Sequence, residues 1–197
     1  MAANRSDDLF GAAPLWPAGL VYEPDFIDDD EQDHLLLAIG EVPFHDAQCF
    51  EYTAKRRVAS FGSSYDFKTR ELHHAEPIPG FLTALRRRVA HRASVPEDDF
   101  CQTLITEYRP GTPLGWHRDA LNYEVVAGVS LGGRCRMRFR PYPPRGGRDP
   151  RTFAIELAPR SVYVMRGEVR WQWQHSITAT HEQRWSITFR TLRRSGA

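Results

Sequence analysis

No apolar run in this chain approaches the length of a membrane-spanning helix, which excludes an α-helical membrane protein. Its start, MAANRSDDLFGAAPLWPAG, carries acids early and has no apolar signal core, so no secretory signal is expected. Cysteine is scarce. Cys49, Cys101 and Cys135 are odd in number and lack metal-site spacing, which argues against a disulfide scaffold or a cysteine zinc site and for reduced thiols in the cytoplasm. A surplus of one charge sign is also missing: 26 Lys and Arg stand against 25 Asp and Glu, a formal net charge of +1. Total charge therefore decides nothing about a nucleic-acid partner, and local distribution must. There is no internal repeat. What remains is a chain of 197 residues, 41% hydrophobic and 26% charged, enough for one domain with a sizeable core and short for two.

Along the chain, residues 1–20 are rich in Ala, Gly and Pro and read as an irregular arm. The acidic stretch DFIDDDE (Asp25 to Glu31) precedes LLLAIG. Acids at that position oppose a helix dipole, so a helix is expected to begin there and to end near Ile39-Gly40. Residues 78–93 (IPGFLTALRRRVAHRA) carry Phe81, Leu82, Leu85 and Val89 at helical spacing, with Pro79 near the start. From Asp99 the pattern changes to strands: TLITEY, VVAGVSL, RCRMRFR, TFAIELA, SVYVM, VRWQWQHSI and RWSITFRTL, separated by Pro- and Gly-bearing turns. Many short strands after early helices predict an α+β chain with a sandwich or jelly-roll barrel in its C-terminal part.

Two histidines and an aspartate stand out among the strands: His117 and Asp119 in GWHRDA, and His175 in WQWQHSI. Two imidazoles and one carboxylate form the ligand set of a mononuclear Fe(II) site with open positions. In a strand, residues two apart share a face, so His117 and Asp119 are expected to reach one ion from one segment, with His175 supplied by a distant strand. The same alternation would place Trp171, Trp173 and His175 on one inward face as a dry wall. His181, in the polar turn THEQ, is the rival third ligand, and a zinc hydrolase uses the same donor types.

RWSITFR alternates as well, with Arg184, Ser186, Thr188 and Arg190 facing one way and Trp185, Ile187 and Phe189 the other. Arginine grips carboxylates through two parallel hydrogen bonds. Six strand residues span roughly 20 Å, so the two arginines would have to lean together to hold one small diacid. The plain alternative is a strand with a solvated polar face.

YRPGTPLGWHRD, GVSLGG, VYVMRG, WQHSI and RWSITFR together resemble, in order and spacing, the AlkB family of Fe(II)- and 2-oxoglutarate-dependent dioxygenases over about residues 100–192. The resemblance implies a double-stranded β-helix (jelly-roll) core with N-terminal helices packed on it and a substrate lid over residues 45–75, all in one oxygenase domain spanning 1–197 with its core at 99–192. It implies Fe(II) held by His117, Asp119 and His175, with 2-oxoglutarate and O₂ as co-substrates. Arg184 would take the distal carboxylate of 2-oxoglutarate, Arg190 would lie near the carboxylate that chelates iron, and Tyr108 would hydrogen-bond the co-substrate. Thr106 stands where the family often has Asn. The reaction implied is oxidation of a substrate C–H with release of succinate and CO₂, which removes an N-methyl group as formaldehyde.

The family's known substrates, alkylated DNA or RNA bases, imply DNA damage repair by a monomeric enzyme. A base taken out of the stack is held between aromatic and apolar groups. In KRRVASFGSSY, Arg56 and Arg57 would meet phosphates, Phe61 or Tyr65 would stack on a base, and Gly62 would let the backbone turn closely. Trp116 and Trp173 are further aromatic candidates. In RCRMRFR, Arg134, Arg136, Arg138 and Arg140 share one strand face and could track a nucleic-acid backbone; a solvated outer face is the alternative. Leu121 stands where DNA-acting members often carry an acid. Three other readings stay open: the same chemistry on a protein side chain, tRNA or small molecule; a non-catalytic nucleic-acid-binding barrel; and a cupin-like enzyme.

Overall fold

The computed structural model describes residues 16–49, 52–66, 71–74, 76–147 and 149–193. Thirteen strands and three α-helices appear among them: β1 (Leu20–Glu23), α1 (Asp29–Gly40), β2 (His45–Cys49), β3 (Tyr52–Phe61), β4 (Ser63–Asp66), β5 (Glu71–His74), α2 (Thr83–Ala93), β6 (Phe100–Tyr108), β7 (Leu114–His117), β8 (Tyr123–Gly132), β9 (Cys135–Pro141), β10 (Phe153–Leu157), β11 (Val162–Met165), α3 (Gly167–Gln172), β12 (Trp173–Ile177) and β13 (Arg184–Leu192). The strands form a large sheet in the order β1-β11-β8-β13-β6-β3-β2, a smaller one in the order β10-β9-β12-β7, and the separate pair β4-β5. Every pairing is antiparallel. The α+β class and the jelly-roll core are as the sequence predicts.

Alternation explains the layering. On the large sheet, Ile105, Val125, Ala127, Val129, Ile187 and Phe189 share one apolar cluster with Leu35, Ile39, Leu82, Leu85 and Val89 of the helical segments. The opposite face meets the small sheet through a second cluster that includes Tyr108, Val126, Tyr163, Met137, Phe139 and Trp173. α1 begins where the acids imply. The Asp28 carboxylate accepts from the Glu31 backbone N–H at 2.8 Å, capping a first turn of Asp29, Asp30 and Glu31. The second helical stretch opens with a 3₁₀ turn at Gly80–Leu82 before α2.

Three expectations change. The irregular arm gives way by Leu20 to β1, which pairs with Val162–Met165, while residues 1–15 lie outside the described ones. VRWQWQHSI is not one strand: its first half is helical in α3, and the strand begins at Trp173. Trp171 therefore leaves the inward face, and its Nε1 donates to Glu124 Oε1 at 3.1 Å. The 45–75 segment divides, β2 and β3 joining the large sheet beside β6 while β4 and β5 pair with each other. Gly62 ends β3 at φ +80°, where a Cβ would lie 2.1 Å from the Cys101 carbonyl oxygen, so only glycine fits the turn.

Candidate metal centre and co-substrate cavity

The centre forms where the two sheets face each other. His117 ends β7 and lies directly opposite His175 of β12, with ring centroids 4.2 Å apart. Asp119 lies beyond the end of β7, in the connection to β8, and not on the strand. What brings it to the histidines is not strand alternation but two arginines. Arg190 of β13 donates to Asp119 Oδ1 through Nε at 3.1 Å and Nη2 at 2.8 Å. Arg170 of α3 sends Nη2 to the backbone carbonyls of Ala120 (2.6 Å) and Tyr123 (2.7 Å), pinning the segment that follows. Sequence reading missed Arg170, because α3 was legible only as strand.

One ligand atom from each of His117, Asp119 and His175 falls within 4.8 Å of the others. Asp119 Oδ2 is buried, has no hydrogen-bond partner, and sits 3.6 Å from His175 Nε2. His117 Nδ1 is 2.9 Å from the Gly115 carbonyl. A donating Nδ1–H there leaves Nε2 as the lone-pair nitrogen, as a metal ligand requires. The donor types, the orphaned carboxylate oxygen and the close approach of the three groups fit a divalent metal with open positions. His181 is exposed in its turn, and the grouping does not include it.

Protonation states agree. Burial, and then the neighbouring His117, lower the His175 pKa from 6.5 to about 3. Burial also lowers His117, opposed by Asp119. For Asp119, burial alone would raise the pKa, but Arg190 first and then His175 and His117 hold it well below the usual carboxylate range. At neutral pH the site offers two neutral imidazoles and a carboxylate, the forms that bind metal.

The polar face of β13 is buried rather than solvated. Arg184 is fully buried; its Nε donates to Ser130 Oγ at 3.0 Å, and neither Nη1 nor Nη2 has a hydrogen-bond partner. A buried guanidinium with orphaned donors is costly unless an anion meets it, which suits a carboxylate of a dicarboxylic co-substrate. Tyr108 lies under it, 4.9 Å from guanidinium carbon to ring centroid, with its hydroxyl pKa raised by burial against the pull of Arg184. Thr106 is buried opposite Ser186 on the same inward face. Arg190 does not lean toward Arg184 over one diacid: Nε and Nη2 serve Asp119, and Nη1 serves Gln102 Oε1 at 2.9 Å. Gln102 in turn donates to Ser60 Oγ of β3 at 3.3 Å, so a hydrogen-bonded chain runs from β3 to Asp119.

Tyr163 was not foreseen, although VYVM alternates in the right phase. It lines the interior against Gly128, where a Cβ would come within 2.5 Å of its ring. Burial, and then the charge of Asp119, raise its pKa.

The lid residues separate by face. Arg56 lies opposite Tyr108 on the inward side, and its charge bears on both Tyr108 and His117. Arg57 lies opposite Glu107 on the other side and forms a two-pronged ion pair with that buried carboxylate, Nε to Oε2 and Nη2 to Oε1 at 2.9 Å. Phe61 lies opposite Thr103 and packs on the helix-side core. Register thus corrects the expected phosphate contact of Arg57 and base stacking of Phe61: both residues face away from the metal. The side chain of Tyr65 lies outside the described ones. Trp173 faces inward, its ring 5.5 Å from Phe153, whereas Trp116, Arg136 and Arg138 lie on the outer face of the small sheet.

The profile of the 2OG-Fe(II) oxygenase superfamily matches residues 19–190. The chain belongs to that superfamily and is of its AlkB type, an oxygenase that uses Fe(II), 2-oxoglutarate and O₂. It is 28% identical over 173 residues to the tRNA (carboxymethyluridine(34)-5-O)-methyltransferase alkbh8 of Xenopus tropicalis, covering 84% of this chain and 26% of the relative. It is 28% identical over 201 residues to an alkylated DNA repair protein ALKBH8 homolog of Arabidopsis thaliana, covering 90% of this chain and 55% of that protein. The chain thus spans about a quarter of one relative and about half of the other. The solved structure of OsALKBH1 shares the fold, with a TM-score of 0.67 at 16% identity over 89% of this chain and 98% of that one.

Proposed function

We propose that this oxygenase removes alkyl groups oxidatively from N-alkylated bases in DNA or RNA, as a nucleic-acid repair enzyme. The observation that carries the reading is the meeting, between the two sheets, of three side chains of metal-ligand type and a fully buried arginine with two unpartnered nitrogens. In this reading His117, Asp119 and His175 hold Fe(II), and Arg184 binds the distal carboxylate of 2-oxoglutarate with Tyr108 and Thr106 beside it. Arg190 acts by orienting Asp119. With Fe(II), 2-oxoglutarate and O₂ bound, the site supplies C–H oxidation coupled to loss of CO₂; a hydroxylated N-methyl carbon then leaves as formaldehyde. Tyr163, Met137, Phe139 and Trp173 keep the cavity dry around that reaction.

Nucleic acid as substrate is supported by Arg56 at the inward side of the lid strand and by the repair protein among the relatives. We place the activity on one oxygenase domain, working as a monomer because one chain completes the cavity. Few cysteines, without metal-site spacing, suit the cytoplasm. Among the described residues, no helix is long and apolar enough to cross a membrane.

The test is 2-oxoglutarate turnover by protein purified without O₂, loaded with Fe(II) and then exposed to O₂, with and without N-methylated DNA and RNA oligonucleotides. Substrate-stimulated succinate together with formaldehyde, both lost in His175→Ala, is the expected result. Succinate without formaldehyde on any oligonucleotide would redirect the enzyme to a protein, tRNA or small-molecule substrate. Iron bound with no succinate formed under any condition would overturn the reading.

A further inference from the structure

The outer face of the small sheet carries charge that the metal cavity does not use. On β9, Cys135, Met137 and Phe139 point inward, and Arg136, Arg138 and Arg140 point outward. Elsewhere surface arginines are largely neutralised by acids: Arg87 by Glu97, Arg88 by Glu31, Arg92 by Glu23, and Arg160 by Asp25 and Asp29. Arg138 and Arg140 are treated differently. Neutral partners hold them, Ser176 Oγ at 3.1 Å and Gln174 Oε1 at 2.9 Å, each through Nε. No carboxylate among the described residues pairs with either. Both guanidinium groups also lie against the Trp116 ring, 5.0 and 4.4 Å from its centroid. Arg136 has only exposed Glu156, at 3.9 Å. The arginines are thus ordered without losing their charge, an arrangement suited to a polyanion.

The neighbouring relief fits. A cavity of about 200 Å³ opens beside Trp116 and Arg140, lined also by Pro144, Arg145 and Thr152. Asp149 on its wall is bonded to Arg151 at 2.8 Å. Trp116 precedes the metal-site residue His117 on β7, and β7 is the edge of the small sheet.

Resting on the nucleic-acid reading above, we propose that this face binds the single nucleic-acid strand flanking the target nucleotide. Arg136, Arg138 and Arg140 contact its phosphates, and Trp116 with the adjacent cavity takes a base. Aromatic rings interleaved with arginine are how strands are held without sequence preference.

The experiment measures fluorescence anisotropy of the Fe(II)- and 2-oxoglutarate-loaded protein, without O₂, on unmodified single strands of DNA and of RNA, long and trinucleotide, across a salt series. For the double variant Arg138→Gln/Arg140→Gln, we expect Kd on long strands to rise about tenfold or more and the salt slope to fall by about 1.4, at about 0.7 per phosphate contact on a single strand. Arg136→Gln should lower the slope by about 0.7. Arg138→Lys/Arg140→Lys keeps the charge and should recover most of the slope, which separates phosphate contact from a folding role. Arg87→Gln is the charge-matched control and should change neither quantity. Unchanged slopes in the double variant, an equal loss in Arg87→Gln, wild-type affinity no greater for long strands than for trinucleotides, or capture of poly-glutamate in place of both nucleic acids would each overturn the proposal. Binding of long strands through these arginines without oxidation of any alkylated base would uphold this surface while the proposed function failed. The opposite pattern would remove the surface alone.

Discussion

The two sheets of the sandwich alternate alike and end up with different outer faces. On the large sheet the outward set is Ile105, Val125, Ala127, Val129, Ile187 and Phe189, and the helical segments cover it. On the small sheet it is Arg136, Arg138, Arg140, Gln174 and Ser176, and no helix among the described residues shares an apolar cluster with them. Apolar side chains drive helices onto one face; arginines line the other. The active cavity between them draws on both sheets: His117 and His175 come from the small one, and Arg184 and Arg190 from the large one. One sheet is thus backed by helices, and the other presents a row of arginines.

The comparison can be broken from inside first. Asp119→Ala removes a proposed ligand and the anion that Arg190 holds. Metal affinity, read by iron content after dialysis, should fall more than about 100-fold, since even residues supporting a ligand cost 10–100-fold. Succinate formation should fall to background. On the helix-covered side, Leu85→Ala opens a hole in a fully buried cluster and should cost about 2–5 kcal/mol in a urea melt. The same measurement on Arg136→Gln should shift within about 0.5 kcal/mol.

Arg184→Met separates cavity from core. It removes an uncompensated buried guanidinium, so the melting temperature of the metal-free protein should hold or rise. The KM for 2-oxoglutarate should increase by about two orders of magnitude, the cost of a buried charge-assisted pair. A fall in both stability and affinity would mean that Arg184 is structural.

The mildest probe is pH. Folding lowers the His175 pKa from 6.5 to about 3 and shifts His117 the same way. Between those values the unfolded chain takes up a proton that the folded one refuses. Stability of the metal-free protein should therefore be flat above about pH 6.5 and decline as pH falls toward 3, by at most about 1.4 kcal/mol per pH unit for each proton. Urea midpoints across that range check the slope, and His175→Gln should flatten it.

Much of this was legible in the chain. The alternation of RWSITFR gave the inward arginine face, and the ligand triad and helix starts were readable from residue type and spacing. What failed did so for identifiable physical reasons. Alternation cannot distinguish a strand from a short helix leading into one, so Trp171 was misplaced. It cannot show that β7 stops at His117, so spacing puts Asp119 on a strand whereas Arg190 and Arg170 hold its segment. Nor can it fix which face of β3 looks inward: that depends on register against β6, and a one-residue difference sends Arg57 and Phe61 to the helices and Arg56 to the cavity. The pairing of Arg190 with Asp119 is a contact between distant segments, with no local signature.

Asp119 is anchored to the large sheet through Arg190, whereas the two histidines ride on the small one. An ion shared among them would act as a rivet through the sandwich, its binding free energy added to the adhesion between the layers. Metal affinity then becomes a strain gauge for the whole barrel. A substitution at Ile155 or Leu157, remote from every ligand but in the layer between the sheets, would register as a looser ion well before the chain unfolds.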